Sequence, residues 1–329
     1  MIGKKSFLYF FVFMSIFFVW PASVFPQSRP VSTYSIVALD ERTGELGVAV
    51  QSHWFSVGSL VPWARAGVGA VATQSFVRVE YGPQGLNLME AGASAEEALI
   101  ELMNDDEGAE VRQVAMIDIN GDVATHTGEN CIWAAGHQTG KNYSVQANLM
   151  ENETVWPAMA EAFEKSRGGL ADRMLAALEA AEAEGGDIRG RQSAAMLIVS
   201  GQPTGIPWKD IVLELRIEDH PEPLAELKRL IRTHRAYQHA NQGDLYVEKG
   251  KTELALKEYD KAATLYPENP ELPYWTAVTL ADIGRVNESL PLFKAAFVID
   301  ERWRTLTPRL VNAGLLPDDK KMLELILAQ

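Results

Sequence analysis

The 329-residue sequence has a single cysteine, Cys131, so no disulfide can close within the chain. A lone thiol of this kind reads first as a small buried hydrophobe rather than a nucleophile. Positive charge is also scarce. Thirty Lys and Arg stand against 44 Asp and Glu, a formal net charge of −14. That balance argues against non-specific binding to nucleic acid or to an anionic membrane, both of which want basic patches. The histidines lack ligand spacing: there is no HxxxH and no HExxH. His53, His126 and His137, with Asp118, therefore read as polar core or surface residues. A metal-dependent hydrolase built on them is the weakest of three functional readings, and no metal or cofactor is expected. No nucleophile-elbow pattern surrounds Ser52 or Ser75. The one long uncharged run, Phe7 to Trp20, falls short of the roughly 20 apolar residues of a membrane span.

What is present is a sizeable core, with 47% hydrophobic residues over a length that suggests about two domains. The apolar run follows Lys4-Lys5, the layout of a secretory leader, here given residues 1–27. An exported protein, periplasmic or extracellular, is the expectation. A leader left uncut would anchor it to the membrane. Pro21-Ala22-Ser23 supplies small residues, yet no clean small-x-small site precedes Thr33.

Beyond the leader the pattern alternates. Residues 32–40 and 45–53 read as strands joined by the turn Glu41-Arg42-Thr43-Gly44. An irregular stretch from Gly58 ends in a third strand near Thr73. A helix begins at Tyr81, and a second is announced by Ser94 as N-cap with Glu96 and Glu97 in its first turn. Strands at 111–118 and 123–127 flank Asn120-Gly121, a hairpin signal. Residues 143–149 form a further strand, 155–165 and 170–183 two helices, and 193–199 and 211–217 the last strands. Tight turns between strands imply antiparallel sheets, and helices in blocks imply an α+β class. The domain is given residues 33–220, with a bridging helix at 221–235.

From 236 to 329 the chain repeats with a period of 34. Gly250 matches Gly284, Leu256 matches Leu290, Tyr259 matches Phe293 and Ala262 matches Ala296. Gly243, Tyr246, Ala255 and Pro267 complete the first unit. These are the small and large positions of a tetratricopeptide repeat. Two units (236–269 and 270–303) and a terminal cap at 315–327 are expected, leaning on the bridging helix because stacks usually need three or more units. Such repeats offer a surface for a protein partner, or for association of the chain with itself.

Thr33 carries the sharpest chemistry. If the chain is cut before it, one residue supplies both a hydroxyl nucleophile and an α-amine base. Thr33 and Ser35 share one face of their strand and Ser32 the other. The polar run Asp187 to Ser193 brings Arg189 and Arg191, either of which could hold a carboxylate or orient an acid.

Many short motifs then resemble one family. They are Thr33-Tyr34-Ser35-Ile36-Val37-Ala38, Gly44-Glu45-Leu46-Gly47-Val48-Ala49-Val50, Ser52-His53-Trp54, Pro62-Trp63-Ala64, Gly67 to Gln74, Tyr81-Gly82, His126-Thr127-Gly128, Gly190 to Ala195, and Leu215 to Pro221. Together they resemble the domain of unknown function 1028, over about residues 33–235. The resemblance implies an Ntn-hydrolase-like four-layer αββα sandwich and, by analogy with hydrolases of that fold, cleavage of an amide bond in a small amide or peptide substrate. On it Thr33 is the expected nucleophile. His53, Asn148 and Asp187 are the further catalytic candidates, and Gln74 and Arg191 the substrate-binding ones. The other reading is a catalytically silent binding or scaffold protein that keeps the sandwich as a ligand pocket.

Overall fold

The computed structural model describes residues 30–329. The expected leader, and a cut at Gln27, lie outside them. Two antiparallel sheets stack face to face between helices. The larger has six strands in the order β10-β9-β2-β1-β8-β7. These are β1 (Thr33–Leu39), β2 (Leu46–Ser52), β7 (Gly136–Gly140), β8 (Tyr143–Asn148), β9 (Ser193–Val199) and β10 (Ile211–Ile217). The smaller sheet, β3-β4-β5-β6, uses β3 (Pro62–Arg65), β4 (Gly69–Ser75), β5 (Arg112–Asp118) and β6 (Val123–Thr127).

Helices α1 (Tyr81–Glu90) and α2 (Ala95–Asn104) pack on the small sheet; α3 (Val155–Lys165) and α4 (Leu170–Ala183) pack on the large one. The α2 start is the expected one: Ser94 Oγ accepts from Glu97 N, and Glu97 accepts from Ser94 N in return. The result is a four-layer αββα sandwich. Both faces of the central strands are covered, so β1 is buried throughout. Tyr34, Ile36 and Ala38 face α3 and α4, while Val37 and Leu39 join Val48 and Ile117 between the sheets. Burying each such aliphatic side chain contributes about 1.5–3 kcal/mol.

The expected bridging helix does not stop at residue 235. It runs as one element, α6 (Pro223–Glu248), and forms the first helix of the repeats; a four-residue α5 (Pro207–Asp210) precedes β10. No helix breaker stands between Leu224 and Gln242, so nothing ends it earlier. Then come α7 (Thr252–Leu265), α8 (Glu271–Asp282), α9 (Val286–Ile299), α10 (Arg302–Asn312) and α11 (Lys320–Leu327). Gly243 lets α6 and α7 close: a Cβ there would come within 2.4 Å of the Tyr259 ring. In the second pair Tyr274 packs edge-on against Phe293, and Met322 and Ile326 of α11 cap the same cluster.

Besides the short β3 and α5, two elements go unread in the sequence. Strand β7 (GHQTG) has no apolar alternation because it is an exposed edge. Helix α10 lies in the interval between the second repeat and the cap. Its Pro308 is an interior residue that usually breaks a helix.

Candidate functional site

The space between the sheets is apolar at one end and polar at the other. The polar end lies where β1 begins and β2, β4 and β8 stop. Thr33 opens β1, pairs in register with Ser52 and Asn148, and is fully buried. Its hydroxyl donates to the Val31 carbonyl at 2.8 Å and reaches Ser52 Oγ at 3.1 Å. Ser52 Oγ in turn donates to the Ser32 carbonyl, the acyl side of the bond that must break to free the Thr33 amine. Arg189 Nη2 donates to the same oxygen at 3.0 Å. Two donors on one carbonyl oxygen form the kind of arrangement that stabilises charge developing there.

Gln74 and Asn148 meet behind Thr33. Both side-chain amides donate to the Thr33 carbonyl, at 3.2 and 3.4 Å, and both donate to Gln113 Oε1, at 2.7 and 2.9 Å. Gln113 passes its own amide hydrogens to Thr127 Oγ1 and to the carbonyls of Gly136 and Ala147. Ser35, on the same face as Thr33, donates to Gln74 Oε1 and accepts from Gln146. Four buried polar atoms at this end have no partner among the described residues: Ser32 Oγ, His53 Nδ1, Ser75 Oγ and Asn148 Oδ1. Such orphans cost roughly 1–3 kcal/mol each and mark a place where a ligand or water has something to bond.

The loop after α4 supplies the charged part. Asp187 is buried and accepts from His53 N and from the backbone and guanidinium of Arg189. Gly190 has φ +101°, and the turn it permits brings the strand back beside His53. Of the two arginines in this run, Arg189 is the one at Thr33. Arg191, the expected substrate-binding residue, is on the outer helical side and pairs with Glu182 and Glu222. The Glu182 bond raises the Arg191 pKa and keeps it charged. Two residues apart on an extended backbone, the two side chains would share a face; the turn at Gly190 between them sends one guanidinium to Thr33 and the other away.

The His53 backbone, not its ring, binds Asp187, while the ring lines an open pocket of about 350 Å³ with Trp54, Phe55, Arg189 and Gln192. His126 bonds the Ala109 carbonyl and His137 bonds Thr127, and no group of three or more His, Cys, Asp or Glu side chains gathers among the described residues. Cys131 is half-buried, and that burial raises its thiol pKa.

The backbone is strained beside the site. Ser75 (φ 68°) directly follows Gln74, and Leu149 (φ 57°) directly follows Asn148. Left-handed geometry at non-glycine residues costs on the order of 1–3 kcal/mol each and concentrates at functional positions. Ser52, Arg189 and Gln113 were not singled out as site residues from sequence. The sequence leaves Arg189 level with Arg191, offers Ser52 only as a triad nucleophile, and gives no sign of Gln113. The register of β2 and β5 against β1 and β4 would have found the first and last.

The fold and site define a four-layer αββα sandwich with a buried threonine heading its first strand, joined to tetratricopeptide helices. The chain belongs to the family described as "Family of unknown function (DUF1028)", whose model matches residues 33–227. A tetratricopeptide repeat model matches residues 243–299. Among solved structures, protein SPO2555 from Silicibacter pomeroyi, of the same family, aligns with TM-score 0.55 and 31% identity over 61% of this chain and 85% of that one. Anbu (ancestral β-subunit) from Yersinia bercovieri aligns with TM-score 0.30 and 16% identity over 60% of this chain and 92% of that one. No curated protein matches.

Proposed function

We propose that this is an exported amide hydrolase of the N-terminal-nucleophile type, with Thr33 as nucleophile once the Ser32–Thr33 bond is cut. The observation that carries the reading is the Ser32 carbonyl held by both Ser52 Oγ and Arg189 Nη2, directly beside the Thr33 hydroxyl. After the cut, the Thr33 amine takes the proton of its own hydroxyl. Oγ1 bonds the substrate's carbonyl carbon, and the carbonyl oxygen draws on the donors of Ser52 and Arg189. The proton passes to the leaving nitrogen as the C–N bond breaks. Water then hydrolyses the threonyl ester and restores the free hydroxyl. Gln74 and Asn148 fix the Thr33 backbone. Asp187 orients Arg189 and acts through it. The repeats would recruit a protein partner.

The test pairs the N-terminal residue of the exported protein, by intact mass, with an amide-substrate screen of wild type and Thr33→Ala. Turnover that needs Thr33 in a chain beginning at Thr33 supports the reading. Turnover that survives Thr33→Ala overturns it. One observation favours the silent binding protein instead: in the uncut chain Val31 and Ser32 are hydrogen-bonded in place and Thr33 has no free amine. That reading expects ligand binding with no turnover, whatever the N-terminus.

A further inference from the structure

The residues ahead of Thr33 lie in the site much as a bound peptide would. Val31 is extended and pairs with Ser75 at the end of β4 through both backbone bonds. Val31 N donates to the Ser75 carbonyl at 2.7 Å, and Ser75 N to the Val31 carbonyl at 3.0 Å. Its side chain is 1% exposed and belongs to the inter-sheet cluster with Val50, Val57, Val61 and Ala72. The next carbonyl, of Ser32, takes the two donors described above. A two-bond backbone pairing, one apolar side-chain slot and a doubly bonded carbonyl are the parts by which strand addition recognises a peptide.

We propose that this slot is the acyl-side binding site for an extended peptide with a small β-branched apolar residue second from the bond to be cut. In the uncut chain its own residues 30–32 fill it. The proposal rests on the hydrolase reading for the fate of the ligand, and on the geometry alone for its binding. Ser75 holds the ligand's backbone and sets its direction. The left-handed Ser75 conformation turns β4 away just past that pairing. An acidic or basic side chain in the valine slot would have to give up its hydration to enter an apolar cluster, so such peptides are disfavoured.

The probe is the peptide acetyl-Pro-Val-Ser, measured by calorimetry and by the shift in melting temperature. It is titrated against the chain released at Thr33 from a ubiquitin fusion, with acetyl-Pro-Asp-Ser as comparison. The expected result is binding of the valine peptide at least about tenfold tighter than the aspartate one, the discrimination a single apolar contact supplies. A second pair keeps the whole chain: wild type, with the slot filled, should not bind, and Val31→Asp, which expels the segment, should. Released chain that melts cooperatively yet binds neither peptide, or both equally, overturns the slot. So does a folded Val31→Asp chain that ignores the valine peptide. Binding without hydrolysis of acetyl-Pro-Val-Ser amide upholds the slot and defeats the hydrolase reading. Hydrolysis of simple amides with no preference for valine does the reverse.

Discussion

Asp187 and Arg189, two positions apart on one loop, are locked together by three hydrogen bonds: N to Oδ1 at 2.9 Å, Nε to Oδ1 at 3.0 Å and Nη2 to Oδ2 at 2.7 Å. The planar guanidinium can do this and still give Nη2 to the Ser32 carbonyl; an ammonium cannot. Arg189→Lys should therefore lower kcat/KM by roughly 10²-fold, the size expected for losing one preorganised donor. Arg191→Lys should leave it near wild type. Steady-state kinetics on the processed chain check both, and equal effects from the two changes would refute the assignment.

Thr33→Ala should abolish turnover while costing roughly 1–3 kcal/mol of stability, since the buried hydroxyl's bonds to Val31 and Ser52 and the buried γ-methyl are lost. Thermal melts beside the activity assay separate the two effects.

Gln113 is itself fully buried, accepts from two amides and donates to three oxygens. Gln113→Leu keeps the bulk and strands the Gln74 and Asn148 amides. A loss of roughly 2–4 kcal/mol is expected, read as a lower denaturant midpoint. A neutral result would mean that the inter-sheet network contributes little.

Gly243→Val should damage the repeats first. The added side chain meets the Tyr259 ring, and the α6–α7 pair must spread at about 1–3 kcal/mol. Circular dichroism should show helix lost at a lower temperature than near-ultraviolet signals from the sandwich change.

His234 on α6 bonds the Val212 carbonyl, and burial chiefly pushes its pKa below the ordinary histidine value, with Arg235 adding to that. Above about pH 6.5 the ring is neutral whether the chain is folded or not, and it carries no penalty. Below that, the unfolded chain takes up a proton that the folded one resists, so stability falls as pH drops. The melting temperature should decline from pH 7.5 to 5.5, and His234→Gln should flatten the decline.

How much of this could be read from the sequence divides by type of signal. The sandwich was legible because its strands carry β-branched alternation and its turns carry Gly44 and Gly121. The repeats were legible because Gly243, Tyr259 and Phe293 sit at fixed intervals. Edge strand β7 was not, since an exposed strand owes nothing to an apolar pattern. Among site residues, Thr33, Gln74 and Asn148 converge because all three stand at strand ends on the same edge of the sandwich. The choice between Arg189 and Arg191 was beyond the sequence, because the turn at Gly190 decides which guanidinium faces Thr33.

Helix α6 runs unbroken for 26 residues, about 39 Å, from the sandwich into the repeats. Its Leu227 and Ile231 are core to one unit, and its Ala236 and Gly243 to the other. Arg235 also clamps Asp172 of α4 with two bonds, at 2.8 and 2.9 Å. The junction is thus a splint and not a tether. A tug on the repeats loads α4 and β10 directly, and a scissor cut at residue 235 would leave each half with a severed helix instead of a clean end.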